Sequence, residues 1–127
     1  MIPTYVFDSG ALVSAERGKQ RAARFLKLVR LGRARIVVPL PVIAEWWRAR
    51  TDAREEILAA TQIVATVEIM KAAGVALART KNVDAKLTMD AIVMATAALL
   101  DAVVVTGDAD DFEHLSRHFS GVPVLSA

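Results

Sequence analysis

Val103–Thr106 reads Val-Val-Val-Thr, a β-branched run with no apolar/polar alternation. A strand with one wet face alternates; an unbroken apolar run belongs to a strand covered on both faces, as in a parallel sheet. Arg35–Pro39 (RIVVP) repeats the pattern, and Pro3–Asp8 (PTYVFD) is short, β-branched and aromatic, stopping at the turn signal Asp8-Ser9-Gly10. Between these runs the periodicity changes to that of helices. Ala11–Glu16 predicts a short helix. Lys19–Leu31 predicts an amphipathic one, with Ala22, Phe25, Leu26 and Val29 on one face and Gly32 closing it. Pro41–Arg50 resumes helix with proline near its first turn. Asp52 is the expected cap of the next helix, with Glu55 as its capping-box partner. Glu56–Asn82 is mostly helical, with Thr61–Val67 open between helix and a short strand. Thr88 is the expected cap for Met89–Leu100, and Asp110, with Glu113 in the box position, for a helix to about Phe119. Val122–Leu125 closes the chain as a last strand.

Strands alternating with helices predict an α/β fold: one domain over residues 1–127, with a central parallel sheet of about four to five strands flanked by helices. A chain of 127 residues has room for one core, and 54% hydrophobic residues exclude a disordered chain. The absence of cysteine excludes disulfides, thiolate metal sites and a cysteine nucleophile. It fits a reducing compartment, so a cytoplasmic location is expected. The longest apolar runs, such as Ala91–Leu100, fall well short of a membrane span. The N-terminus lacks a basic start followed by an apolar stretch, so no signal peptide is expected.

In parallel sheets, ligands bind beyond the carboxyl ends of the strands. Asp8 ends the first strand and Asp108 follows Val103–Thr106, so both belong to that edge. Glu45 lies one turn into the helix after the second strand, and Asp90 in the first turn of its helix. Four carboxylates from four elements then converge. At ~4 Å and an effective dielectric of ~20, each like-charged pair costs about 4 kcal/mol, so the cluster calls for shared protons or a cation. Oxygen donors alone select a hard ion, Mg2+ or Mn2+. Singly, Asp90 is explained as a helix-dipole partner, Asp8 as a turn former and Glu45 as a surface acid; together they are not. Asp101 is excluded as a ligand because it lies about 16 Å along the helix from Asp90. Asp111 is a candidate auxiliary ligand and Asp110 a supporting residue with a structural role as a cap. Ser9 and Thr106 are candidates to orient a carboxylate or a water.

The net charge of +2 conceals an asymmetry. Eight bases and no acid fall in Arg17–Arg35, while Asp101–Glu113 holds five acids and no base. Arg17, Arg21, Arg24 and Lys27 lie on the polar arc of the second helix: either a solvated face or a surface for a polyanion. His114 and His118 have i, i+4 spacing but no third ligand, and read as a solvated face. Of Trp46 and Trp47, at least one belongs to the core. No Gly-rich phosphate loop is present.

The segments Val6-Phe7-Asp8-Ser9, Ala44-Glu45, Asp90 to Ala97 (DAIVMATA) and Val105 to Phe112 (VTGDADDF) occur in an order and over a length that resembles the PIN-domain ribonucleases, specifically VapC-like toxins of type II toxin–antitoxin modules. The resemblance implies a PIN fold with Asp8, Glu45, Asp90 and Asp108 as the acids of the metal centre. It implies metal-dependent endonucleolytic cleavage of RNA leaving 5′-phosphate and 3′-hydroxyl ends, homodimers, and a cognate antitoxin. Family members often carry a further acid after the one matching Asp108, a place for which Asp110 and Asp111 compete. The implied chemistry is in-line attack by an activated water, with Arg17, Arg21, Arg24 and Lys27 holding the RNA backbone. Two alternatives stand beside this reading. One is a non-catalytic PIN-like protein-interaction module. The other is an aspartate-based phosphoryl-transfer domain, against which Gly10 stands where a second acid is required.

Overall fold

The computed structural model describes residues 1–127. Five parallel strands, β1 (Thr4–Phe7), β2 (Arg35–Pro39), β3 (Gln62–Val64), β4 (Val103–Thr106) and β5 (Val124–Ser126), form one sheet in the order β3-β2-β1-β4-β5. The helices are α1 (Ser9–Glu16), α2 (Gln20–Arg30), α3 (Leu40–Trp46), α4 (Asp52–Ala59), α5 (Val67–Ala78), α6 (Ala85–Leu100) and α7 (Glu113–Ser116), the last preceded by a 3-10 turn over Ala109–Phe112. The chain winds from β1 out to β3, then crosses back to β4 and β5. Right-handed crossovers therefore put α1–α4 on one face and α5–α7 on the other. The winding reverses between β1 and β4, paired with Tyr5 beside Val103 and Phe7 beside Val105. That reversal opens a crevice at their carboxyl ends.

The unbroken apolar runs are explained by this layering. Val6, Phe7, Val104 and Val105 have no exposed surface, because helices cover both faces of the central strands. Leu12, Val93 and Met94 are equally buried above and below them. Phe25 of α2 packs against Tyr5 and Phe7, with ring centroids 4.7 and 5.8 Å apart. Trp46 is buried and donates Nε1–H to Glu16 at 3.0 Å. Arg54 completes this knot through Nε and a terminal nitrogen to the two Glu16 oxygens, at 3.0 and 3.1 Å, tying α1, α3 and α4 together.

Several boundaries differ from expectation, each for a local reason. The helix expected from Pro41 to Arg50 ends at Trp46, because Trp47 turns extended (ψ 98); beyond it the Ala49 carbonyl accepts from Arg54 instead of from a helical N–H. Thr51, not Asp52, caps α4, its hydroxyl accepting from Arg54 N–H at 3.1 Å. Thr61–Val67 resolves into the edge strand β3 and the Thr66 cap of α5. Asp84, not Thr88, caps α6, accepting from Leu87 N–H at 2.8 Å, while the Thr88 hydroxyl bonds back to the Asp84 carbonyl. Asp110 caps nothing. It lies exposed inside the 3-10 turn, and α7 ends at Ser116, short of Phe119. The last strand starts at Val124 rather than Val122: Pro123 has no N–H to give and only accepts, from Val104.

Candidate active site

Each acid reaches the crevice by a different route. Asp8 follows β1 and caps α1: its Oδ1 accepts from Ala11 N–H at 2.8 Å. Its Oδ2 accepts from the hydroxyl of Thr106, the last residue of β4, and that same hydroxyl accepts from Asp108 N–H at 3.1 Å. Thr106, fully buried, thus fixes one carboxylate and the backbone of another across the strand reversal. The two strand ends are drawn together by glycines. A Cβ on Gly107 would meet Gly10 Cα at 3.0 Å, and one on Gly10 would meet Gly107 at the same distance.

Glu45, half-buried on α3, and Asp90, half-buried on α6, complete the wall of one cleft of about 430 Å3 with Asp8, Ser9, Asp108 and Asp111. The earlier start of α6 puts Asp90 in the second turn, beyond the free N–H groups of the helix end, so the helix-dipole explanation of this residue falls away. Asp110 does not line the cleft, whereas Asp111 does. Arg17 and Lys19 lie at its mouth; Arg21, Arg24 and Lys27 are exposed along α2, with Arg21 reaching the Ser126 carbonyl at 3.4 Å. Asp101 ends α6 in the left-handed conformation and is exposed.

The electrostatics follow from burial and crowding. Burial raises the Asp8 carboxyl above the ordinary carboxylate range, against the bonds from Thr106 and Ala11, and the Glu45 charge adds to the rise. Asp90 is pushed up to about 7, first by burial and then by the charges of Asp8, Asp111 and Glu45, with Lys86 opposing. Lys86, one turn before Asp90 on α6, is the residue that sequence reasoning missed. Its ammonium pairs with Asp111, whose carboxyl this bond holds below its ordinary value while the Lys86 pKa rises. The i, i+4 spacing of Lys86 and Asp90 was the available signal, since it places both on one helical face.

No three of these side chains stand together as a finished metal shell. The donor set nonetheless fits a divalent cation. All donors are carboxylate oxygens, the choice of a hard ion. Asp8 and Asp90 both have raised carboxyl pKa values, first because burial disfavours the charged form and then because neighbouring carboxylates add to it, so a bound cation would relieve both. Perturbed carboxyls gathered in a cleft are also the usual signature of a functional site.

Three solved structures share the architecture. VapBC2 from Rickettsia felis, bound to a promoter DNA fragment, matches with a TM-score of 0.71 at 14% identity, covering 98% of each chain. A toxin–antitoxin complex from Klebsiella pneumoniae matches at 0.62 and 20% identity, covering 95% of each. PAE2754 from Pyrobaculum aerophilum matches at 0.59 and 18%, covering 98% of this chain and 92% of that one. At such identities the likeness is one of fold. No curated protein matches the chain by sequence. The family model for the PIN domain matches residues 5–117, a span that runs from β1 through α7 and takes in every acid of the cleft: the chain belongs to the PIN domain family.

Proposed function

We propose that this chain is a Mg2+- or Mn2+-dependent endoribonuclease, the toxin of a type II toxin–antitoxin module. The observation that carries the reading is the convergence of Asp8, Glu45, Asp90, Asp108 and Asp111 on one cleft at the strand reversal of a PIN domain. Asp8, Asp90 and Asp108 would hold the ion, with Glu45 and Asp111 beside them. A divalent ion there supplies Lewis-acid polarisation of a phosphate oxygen and a lowered pKa for the attacking water.

The chain's own residues do the rest. Thr106 and Ala11 N–H orient Asp8, leaving its carboxylate pre-set rather than free to swing. Asp90, with its carboxyl near neutrality, is able to give up its proton when a cation arrives. Arg17 and Lys19 at the mouth meet a phosphodiester that the acids alone would repel. No side chain stands as an activated Ser–His or Cys–His nucleophile, so the attack is by water with in-line geometry. An aspartyl-phosphate route of the haloacid-dehalogenase kind, by contrast, needs its second acid at the position of Gly10, where the backbone of Gly107 blocks any side chain.

The toxin assignment and the antitoxin partner draw support from the Klebsiella toxin–antitoxin complex and from VapBC2, which share the fold. A homodimer belongs to the same reading. No helix is long and apolar enough to cross a membrane. The reading is tested by incubating the protein with single-stranded RNA in Mg2+, in Mn2+ and in EDTA. Cleavage in the first two only, leaving 5′-phosphate ends, is expected; cleavage undiminished in EDTA overturns it.

A further inference from the structure

Past Lys86, Asp90 and Asp111, the acidic cleft opens into a second depression of about 600 Å3, whose only apolar lining residue is Leu87. Arg79, Lys81, Arg117, His114 and His118 line it. A third depression shares Arg79, Arg117 and His118 and extends the same wall to Lys71 on α5. Each depression shares lining residues with the next, so the three follow one another as a furrow from the acidic centre along the flank made by α5, the α5–α6 connection and α7.

Apart from Lys86, the lysines and arginines of the second and third depressions have no ion-pair partner. The molecule has three ion pairs, Arg50–Asp52, Arg54–Glu16 and Lys86–Asp111, and none involves Lys71, Arg79, Lys81 or Arg117. The remaining acid on the wall, Asp84, is committed to capping α6. Arg79 and Arg117 each follow a helix C-terminus, where the helix dipole favours a cation. That accounts for each singly, not for their sharing one depression with Lys81. Unpaired cations on a concave wall raise the local concentration of anions. No Phe, Tyr or Trp lines the second depression, and the one phenyl ring of the third, Phe119, is buried, so neither offers bases an open hydrocarbon ring to stack on.

We infer that this furrow is a track for the phosphate backbone of single-stranded RNA, separate from the basic stripe of α2 and contributing affinity without sequence preference. The inference rests on the ribonuclease reading, and names where the strand leaves the acidic centre. Phosphate contacts position a strand, whereas base contacts specify it.

The test is fluorescence anisotropy of labelled oligo-U and oligo-A RNA in EDTA, titrated over a range of sodium chloride concentrations. The variants are Arg79→Gln/Arg117→Gln and the charge-reversing Arg79→Glu/Arg117→Glu, each checked for an unchanged melting curve. Each lost phosphate contact flattens the slope of log K against log salt by about 0.7 on a single strand. The neutral double variant is therefore expected to lose about 1.4, equally for both homopolymers, and the reversed one more. An unchanged slope overturns the inference and returns the furrow to a protein partner or to solvent. A loss confined to one homopolymer, or wild-type protein that binds neither, overturns it too. Because binding is read without turnover, failure of the wild type to cleave RNA defeats the ribonuclease reading without deciding the furrow.

Discussion

Replacing Asp90 by Asn should make the metal-free protein more stable while disabling the centre. The ordinary pKa of this carboxyl is 3.8, and in the fold it is about 7. The folded chain therefore holds the proton more tightly than the unfolded one. Stability falls as pH rises between these values, and the whole cost is present above pH 7. A shift of about three units corresponds to about 4 kcal/mol for a sheltered group. Asp90 is only half-buried, and solvent screening reduces this to about 2 kcal/mol. Asn keeps the shape and removes the charge. At about 4 °C per kcal/mol for a domain of this size, Asp90→Asn should melt about 8 °C above wild type at about pH 8 in EDTA. The gap should narrow as pH falls toward 4 and close below it, where the wild-type carboxyl is protonated in both states. Adding Mg2+ should raise the wild-type melting temperature, since a ligand of the folded state stabilises it, and move the variant less. Differential scanning fluorimetry reads all of this. A variant that melts at or below wild type in EDTA, or a gap independent of pH, would refute the account of a crowded, cation-seeking cluster.

Two further outcomes follow from the same geometry. Lys86→Gln removes the centre's own cation and frees Asp111; Mn2+ should then bind about fivefold tighter by calorimetry, a gain of about 1 kcal/mol, and unchanged or weaker binding contradicts the assignment. Gly107→Ala drives a Cβ to 3.0 Å from Gly10 Cα, where backbone has little freedom to give. It should cost about 1–3 kcal/mol in urea unfolding, and a neutral result would mean that the strand ends are not tightly apposed.

The parts of the fold legible in sequence were those written in local composition. β2 and β4 announce themselves as β-branched runs because both of their faces are buried. Helix starts were less legible because neighbouring capping residues compete: Asp84 against Thr88, and Thr51 against Asp52. In both cases the earlier residue takes the cap, with helix-compatible sequence following it at once. The acids were found by a topological rule, that ligands gather at strand ends. Lys86 escaped because a single lysine on a helix looks solvated until the tertiary fold brings Asp111 to it. The contact between Gly10 and Gly107 depends on β1 lying beside β4, a pairing that spans about a hundred residues of chain. The basic furrow was equally invisible. Lys71, Arg79, Lys81 and Arg117 are scattered along the sequence, whereas the dense Arg17–Arg35 run draws the eye.

The central claim is that these carboxylates hold the ion that cleaves RNA. Its most direct test is the rate of single-stranded RNA cleavage in Mg2+ by wild type, Asp8→Asn and Asp90→Asn, each shown to be folded by circular dichroism. The account predicts cleavage by wild type and its loss in both variants, with Asp90→Asn inactive despite being the more stable protein. Full activity in both variants would contradict it.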